Sequence, residues 1–254
     1  MQRLVALISD FGTTDPYAGQ MEAAVLAQAP DAQVVSITHG IPPQDIALGA
    51  VVVAASLERL SPGAILVAVV DPGVGGRRRG LIVRAASRWL VGPDNGLLMG
   101  AAAVEGTWHL DRPEYWRADP HPTFHGRDVF APVAGHLARY VRPDAMASPI
   151  DDAIPAPETM AKTRDGTVEG RVVHVDHFGN LITNIPSAAV RAIAHGMVEL
   201  GGVRIDSVQP TYGSGSDPVA VVSSLGLLEI AIPGGSAEAT LAAKRGDPVR
   251  LRPA

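Results

Sequence analysis

The run AILVAVV, residues 64–70, decides the fold of the N-terminal part of this chain. It holds seven consecutive apolar residues, four of them β-branched, which is the pattern of a strand covered on both faces. Buried strands of this kind occur in parallel sheets whose faces carry helices. The sequence therefore predicts a central strand here, with Asp71 directly after its carboxyl end.

Short β-branched runs alternate with longer alanine-rich runs around this strand. Further strands are predicted at 4–9, 33–38, 81–86 and 88–92, and helices at 16–29, 45–60 and 128–140. Alternation of strands and helices is typical of an α/β fold. We therefore expect residues 1–150 to form an α/β N-terminal domain with a mainly parallel sheet flanked by helices.

The composition of the chain changes near residue 143. Prolines become frequent and apolar periodicity is lost, which predicts a linker at 151–165. Residues 166–254 carry several short β-branched runs, and Phe178-Gly179-Asn180 separates two of them in the manner of a hairpin turn. This pattern predicts a small all-β, barrel-like C-terminal domain.

The overall composition excludes several classes of protein. The chain has 254 residues and a net charge of −5, which argues against nucleic acid as a partner because such binding needs a dominant basic face. It has no cysteine, so disulfides and thiolate metal sites are excluded. The N-terminus does not have the pattern of a signal peptide, and the longest mostly apolar run, residues 46–57, is too short to span a bilayer. We expect a cytoplasmic protein that does not bind membranes.

The segment VAVVDPGVGGRRRG, residues 67–80, has some features of a phosphate-binding loop. It does not match GxGxxG, because Arg78 stands where the third glycine belongs, and the chain has no GxxxxGK[ST] sequence. It also lacks GxSxG and HExxH. The site must therefore be sought among polar residues dispersed along the chain.

Acidic residues follow three of the predicted strands, namely Asp10, Asp71 and Asp94. Ligands of doubly wound sheets bind beyond the carboxyl ends of the strands, so these carboxylates are candidates for a site. Each is also a common turn residue. His125, in the segment PTFHGRDVFAP, is a candidate acid or base, although a lone histidine is more often structural. Spacing alone does not choose among Arg77, Arg78 and Arg79.

The hairpin of the C-terminal domain carries a second group of candidate residues. Asp176, Phe178 and Asn180 combine a carboxylate, an aromatic face and an amide, which suit an ammonium group and a purine base. Ser224 adds a hydroxyl after a later strand. The alternative interpretation of this group is ordinary turn chemistry.

Taken in order, six stretches resemble the S-adenosylmethionine (SAM) hydrolases that release adenosine. These are SDFGTTDPY, VVDPGVGGRRR, GPDNG, TFHGRDVFAP, DHFGN..TNI and SSLG..EIA. This family is also called the SAM hydroxide adenosyltransferases and is related to the SAM-dependent chlorinase and fluorinase. The resemblance implies an α/β domain followed by a β-barrel, and a homotrimer with SAM bound between subunits.

The resemblance also assigns roles to particular residues. It implies that Asp71, Arg78 and His125 are catalytic and handle the attacking water, and that Asp10 binds the ribose. It implies that the C-terminal domain contacts adenine and methionine through Asp176, Phe178, Asn180 and Ser224. Arg77 and Arg79 are then expected to be solvated charges. The chain departs from the fluorinase at Leu225, where the fluorinase has an arginine beside the ligand carboxylate.

The implied reaction is hydrolysis of SAM to adenosine and L-methionine, with either Asp71 or His125 accepting the proton of water. It needs no cofactor and no metal ion. One alternative is a metal-dependent hydrolase that uses the carboxylates of Asp10, Asp71 and Asp94 with His125 as ligands. Another is a protein that binds SAM or adenosine without turnover. A halogenase is disfavoured because the halogenating relatives have tyrosine where this chain has Asp71.

Overall fold

A computed structural model of the protein describes residues 3–101, 103–157, 161–193 and 196–253. The chain divides into two compact units, Met1–Glu158 and Thr159–Ala254. The division lies within the predicted linker, 151–165, of which residues 158–160 are outside the described residues. None of the described helices combines the length and the apolar composition needed to cross a bilayer.

The described residues of the first unit form a seven-stranded sheet and four α-helices. The strands are β1 (Leu4–Ser9), β2 (Gln33–Thr38), β3 (Ile65–Val69), β4 (Gly80–Ala85), β5 (Arg88–Pro93), β6 (Val104–Leu110) and β7 (Ala147–Pro149). The helices are α1 (Tyr17–Gln28), α2 (Ile46–Leu57), α3 (Ala131–Ala138) and α4 (Pro143–Met146). A π-helical turn, Gly126–Phe130, leads into α3, and 3₁₀ turns lie at Leu98–Gly100 and Pro113–Tyr115.

The sheet has the strand order β2-β1-β3-β5-β4-β6-β7 and is mixed rather than mainly parallel. Strands β2, β1, β3 and β5 run parallel, as predicted, whereas β4, β6 and β7 are added by antiparallel pairing. The cause is local. Only Ala86 and Ser87 join β4 to β5, and both have positive φ, as the residues of a tight hairpin do. Two residues cannot make the crossover that parallel strands require.

Alternate residues of the central strands face different layers of helices. Val5 and Leu7 of β1 belong to a core shared with α1 and α3, whereas Ala6 and Ile8 belong to a core shared with α2. The side chains of β3 divide in the same way, and all five residues of that strand are buried. The apolar run at 64–70 is therefore the centre of a sheet covered by helices on both faces.

The described residues of the second unit form a nine-stranded sheet. Its strands are β8 (Lys162–Arg164), β9 (Thr167–Val175), β10 (Leu181–Pro186), β11 (Gly196–Leu200), β12 (Val203–Ile205), β13 (Val208–Gln209), β14 (Val219–Val222), β15 (Leu227–Ala231) and β16 (Pro248–Pro253). Two short helices, α5 (Ser187–Ala192) and α6 (Ala237–Leu241), accompany it. The strand order is β12-β11-β16-β9-β10-β15-β14-β13, with β8 beside β9.

This second sheet curls into a nearly closed barrel. Strands β12 and β13 lie at opposite edges of the sheet, yet only Asp206 and Ser207 separate them in the chain. So short a connection spans about 11 Å at most, which forces the two edges to approach each other. The predicted hairpin is β9–β10, and β9 and β10 are paired antiparallel.

Candidate active site

A cavity of about 320 Å³ lies in the first unit, at the carboxyl ends of β1 and β3. Three of the predicted site residues, Asp10, Asp71 and His125, line it together with Phe11 and Phe124. These residues come from three separate loops. The placement follows the rule that the carboxyl edge of parallel strands gathers the loops that bind ligands.

The loop after β3 is shaped by two consecutive turns. The Val74 amide donates to the Asp71 carbonyl at 3.2 Å, and the Gly76 amide donates to the Gly73 carbonyl at 3.0 Å. Gly75 has φ +73°, and a Cβ there would lie 2.5 Å from the Pro122 carbonyl oxygen. Only glycine fits both the backbone angle and this close approach. Gly75 thereby allows the loop that carries Asp71 to contact the segment that leads to His125.

Asp71 and Arg78 form a buried ion pair, with 4% of the aspartate side chain and 11% of the arginine side chain exposed. The Arg78 Nε donates to Asp71 Oδ1 at 2.9 Å and to Oδ2 at 3.0 Å, and Nη2 also donates to Oδ2. The guanidinium lies 5.2 Å from the centre of the Phe130 ring. Because two nitrogens of the Arg78 guanidinium donate to the same carboxylate, the orientation of Asp71 in the cavity is fixed.

Arg78 also donates to His125, from Nη2 to Nδ1 at 2.8 Å. Arginine is a donor only, so His125 Nδ1 accepts and the imidazole proton resides on Nε2. Burial, followed by the charge of Arg78, lowers the pKa of His125. The structure therefore holds a neutral histidine whose remaining polar atom, Nε2–H, is a hydrogen-bond donor.

Asp10 lines the cavity from the loop after β1. Its Oδ2 accepts from the Gln44 amide at 2.8 Å, and its backbone amide donates to the Val69 carbonyl at 3.3 Å. Oδ1 forms no hydrogen bond with any residue that the structure describes. A carboxylate with one oxygen fixed and the other unoccupied can accept from hydroxyl groups of a ligand.

An aromatic wall, consisting of Phe11, Tyr17 and Phe124, lies beside these polar groups. The three rings meet edge to face, with centroids 5.4 to 6.2 Å apart. Sequence reasoning did not assign them to the site. Phe11 and Phe124 are adjacent to Asp10 and His125 in the chain, so their positions in the motifs SDFG and TFHG carried the signal.

Asp128 begins the predicted helix 128–140 and lies three residues after His125. It is fully buried and accepts from Arg127 and from the His121 amide. Burial alone would raise the pKa of Asp128, but the bonds from Arg127 and His121 outweigh it and the pKa is lowered. This ionised carboxylate anchors the segment from His121 to the π-helical turn and so positions His125.

The expectation that Arg79 is a solvated charge is wrong. Its Nε donates to the buried Asp94 at 2.7 Å and its Nη1 donates to Asp152 at 2.7 Å. Asp94 also accepts from the Ile154 amide at 2.8 Å and does not line the cavity. Arg79, just before β4, and Asp94, just after β5, therefore fasten residues 152–154 to the sheet of the first unit. Arg77 is exposed, as expected.

The predicted binding residues of the second unit lie at the β9–β10 hairpin. Asp176 Oδ1 accepts from the amides of Phe178 and Asn180, both at 2.9 Å, and Oδ2 accepts from Asn180 Nδ2 at 3.0 Å. Asp176 and Asn180 thus build the turn, while the Phe178 side chain is 74% exposed. Gly179, at φ +81°, packs so closely that a Cβ would lie 2.2 Å from Ser236 Oγ. Ser224 is exposed in the turn between β14 and β15.

Sequence reasoning missed a buried acid, Glu229, near this hairpin. Ile182 pairs with both His174 and Glu229, which places these two side chains on the same face of the sheet. Only 3% of Glu229 is exposed, and it accepts from the Tyr212 hydroxyl at 2.8 Å. Burial and the nearby Asp176 raise the pKa of Glu229. A glutamate within the apolar strand LLEIA was the available signal.

Within the described ranges, no group of three or more histidine, aspartate or glutamate side chains is arranged to hold a metal ion. Asp94, one of the four ligands of the metal-dependent alternative, is bonded to Arg79 and lies outside the cavity lining. Asp71, a second one, is held by Arg78. The donor geometry therefore does not match the arrangement that this alternative requires.

Comparison with known proteins identifies the family. The SAM hydroxide adenosyltransferase N-terminal domain matches residues 5–147, and the C-terminal domain of the same family matches residues 170–250. The chain belongs to the SAM hydroxide adenosyltransferase family. The resemblance inferred from the six sequence motifs is thereby confirmed.

Individual members of the SAM hydroxide adenosyltransferase family and their relatives match nearly the whole chain. The chain is 41% identical to the (R)-S-adenosyl-L-methionine hydrolase of Thermus thermophilus, over 98% of this chain and 99% of that protein. It is 27% identical to the fluorinase of Nocardia brasiliensis, over 90% and 89%. A conserved protein of known structure from Thermotoga maritima matches with a TM-score of 0.90 and 27% identity, covering 98% and 99%.

Proposed function

We propose that this protein hydrolyses SAM to adenosine and L-methionine by attack of water or hydroxide on the ribose C5′. Membership of the SAM hydroxide adenosyltransferase family and the similarity to (R)-SAM hydrolases support this function. The observation that carries it is the joining of Asp71, Arg78 and His125 at one cavity. The names of these relatives also favour the R configuration at the sulfonium as the form of SAM that is cleaved.

The reaction places its main demand on the nucleophile. An O–C5′ bond forms while the C5′–S bond breaks, and its electron pair leaves with sulfur as the neutral thioether of methionine. No acid is needed for this leaving group. Water has a pKa of about 15.7, so a site must orient it and accept its proton. Orientation alone can lower the barrier by roughly 7–11 kcal/mol.

The hydrogen-bond pattern divides the work between Asp71 and His125. Arg78 occupies His125 Nδ1, and Nε2 already carries a hydrogen, so His125 donates to the water oxygen and does not take its proton. Asp71 then accepts that proton at Oδ1, which receives one hydrogen bond and so retains a lone pair, whereas Oδ2 accepts from both Nε and Nη2 of Arg78. Arg78 holds both groups in place. The water oxygen thereby presents its free lone pair to C5′.

The remaining predicted residues bind the substrate in this scheme. Asp10, through its unoccupied oxygen, accepts from the ribose hydroxyls. The exposed ring of Phe178 provides a stacking surface for adenine, and Asp176, Asn180 and Ser224 supply polar groups near the hairpin and the β14–β15 turn. Leu225 leaves the methionine carboxylate without the arginine that the fluorinase has.

Three further properties belong to this proposal. The reaction uses no cofactor and no metal ion, because the sulfonium is already an activated leaving group. The protein is a homotrimer, as the family resemblance implies, and light scattering of the purified protein tests this. It acts in the cytoplasm on free SAM.

The function is tested by incubating the purified protein with separated R and S sulfonium epimers of SAM. Chromatography is expected to show adenosine and methionine in equal amounts from the R epimer, with the same rate in EDTA. Turnover that EDTA abolishes would favour the metal-dependent alternative. Binding without release of adenosine would favour a SAM-binding protein, and formation of 5′-chloro-5′-deoxyadenosine in chloride would indicate a halogenase.

A further inference from the structure

His39 is a buried titratable group that the reaction scheme does not use. Only 6% of it is exposed, and both nitrogens of its ring are bonded. Nδ1 bonds to Ser9 Oγ at 2.7 Å and Nε2 bonds to Ser36 Oγ at 2.9 Å. Burial lowers the pKa of His39 against the opposing charge of Glu22, which favours the neutral ring. A neutral imidazole has one donor and one acceptor, and two hydroxyls can satisfy both.

The series of hydrogen bonds Ser9–His39–Ser36, called here the His39 chain, joins two loops that line the cavity. The Phe11 amide donates to Ser9 Oγ at 3.2 Å, so the His39 chain extends to the backbone beside Asp10. The Gly12 amide donates to the His39 carbonyl at 2.8 Å, and the Ile41 amide donates to the Ser9 carbonyl at 3.3 Å. The end of β1 with the loop 10–12, and the loop 39–44 after β2, are therefore bonded to each other through Ser9 and His39.

The two joined loops carry the Asp10 end of the cavity. Asp10 accepts from the Gln44 amide at 2.8 Å, and both residues line the cavity with Phe11 and Pro43. Asp71 and Arg78 lie on the loop after β3, and His125 lies beside the π-helical turn. The His39 chain therefore supports the part of the cavity that binds the nucleoside and is separate from the groups that handle water.

Stability alone does not explain a polar chain at this position. Burying polar groups costs folding free energy unless every one of them is hydrogen-bonded, and an apolar side chain would avoid that requirement. The hydrogen bonds fix the position of the two loops, which have no regular structure of their own, relative to each other. That relative position determines where the unoccupied oxygen of Asp10 points.

We infer that His39 is a positioning residue that holds the loops of Asp10 and Gln44 in the geometry that binds the nucleoside end of the substrate. This inference rests on the proposed function. It predicts a separation of kinetic parameters, because loosening these loops weakens substrate binding and leaves the water-handling groups in place.

The test compares His39→Leu and Ser9→Ala with wild type. Both variants are expected to raise the KM for SAM and the Kd for adenosine about tenfold, the effect of losing roughly one hydrogen bond, with kcat within about twofold of wild type. Ser9→Ala is nearly isosteric and serves if His39→Leu does not fold. His39→Asn, which keeps a polar atom at the position of Nδ1, is expected to restore most of the affinity.

His136→Leu is the matched control. His136 is another partly buried histidine, packed edge to face on Tyr115 at 5.2 Å, and it does not line the cavity. Its replacement is expected to lower thermal stability without changing KM or the Kd for adenosine. An equal rise in KM in this control, or a kcat loss in His39→Leu as large as its KM rise, would assign His39 a merely structural role.

Different results would overturn the inference about His39 and the proposed function. If wild type releases adenosine and His39→Leu and Ser9→Ala bind adenosine as tightly as wild type, the inference about His39 is wrong and the function stands. If wild type neither binds adenosine nor releases it from SAM, the proposed function and the inference both fall.

Discussion

The cavity of the first unit and the hairpin of the second use similar polar residues in opposite ways. In the cavity, Arg78 bonds to Asp71 seven residues away and to His125 forty-seven residues away. In the hairpin, Asp176 uses both carboxylate oxygens within the next four residues. In the cavity, the fold brings together groups that are distant in the chain. In the hairpin, the polar groups stabilise the local turn.

The difference separates chemistry from binding. Groups that converge from distant loops retain free lone pairs and donors that face a cavity, and these can act on a water molecule. Groups that satisfy a turn leave mainly an apolar surface, here the exposed ring of Phe178. We therefore expect changes at Asp71 and His125 to lower kcat and changes at the hairpin tip to raise KM.

The largest effect is expected from Asp71→Asn. The amide keeps an oxygen for Arg78 but cannot accept the proton of water, so kcat is expected to fall about 10²–10⁴-fold. Calorimetric titration with adenosine is expected to give an affinity close to that of wild type. A kcat loss below about tenfold would show that Asp71 is not the base.

A pair of substitutions at His125 gives the next largest effect. Asn can accept from Arg78 as Nδ1 does but has no donor at the position of Nε2, whereas Gln can place an N–H there. We expect His125→Asn to lower kcat about 10²-fold, as loss of a preorganised donor does, and His125→Gln to lower it less. Steady-state rates of the two variants decide this. The opposite ranking would contradict the donor role of Nε2.

The pH dependence of activity tests whether His125 acts as a neutral ring. Because burial and Arg78 lower the pKa of His125, the ring is neutral above about pH 6.5 and gains a proton only in more acidic solution. Protonation removes the acceptor for Arg78 and adds a charge beside it. The kcat/KM is therefore expected to be level above about pH 6.5 and to fall about tenfold per pH unit below the lowered pKa. Loss of activity on raising the pH from about 6.5 to about 8 would contradict this.

The smallest effect is expected from Phe178→Ala at the hairpin. Loss of a stacking surface is expected to raise the KM for SAM about tenfold and to leave kcat within about twofold. Val222→Ala, which also trims an exposed apolar side chain of the second unit, is the control and should leave both parameters unchanged. A fall in the kcat of Phe178→Ala with constant KM would contradict the distinction between a catalytic cavity and a binding hairpin.

Much of the fold could be predicted from the sequence where the pattern is local. The predicted strands at 4–9, 33–38 and 64–70 correspond to β1, β2 and β3, and the hairpin around Phe178 is β9–β10. The antiparallel half of the first sheet was missed because the two residues between β4 and β5 were not read as a turn. β7 was also missed, since its three residues have no periodicity before they pair with β6.

The candidate site was less accessible to sequence reasoning. Spacing could not choose among the three arginines, and only the family resemblance selected Arg78. The buried pairing of Arg79 with Asp94 depends on contacts between residues fifteen apart, for which the sequence carries no local signal. The tautomer of His125 follows from which of its ring nitrogens accepts from Arg78, and that is a matter of tertiary geometry alone.

The central claim, that the cavity of the first unit directs water to C5′ of SAM, is tested most directly with isotopic water. Wild-type protein and R-configured SAM in H₂¹⁸O are expected to give adenosine with ¹⁸O at the 5′-oxygen and methionine without label. The same reaction with Asp71→Asn should show the same labelling at a rate lower by about 10²–10⁴-fold. Unlabelled adenosine, or release of free adenine in its place, would contradict the account.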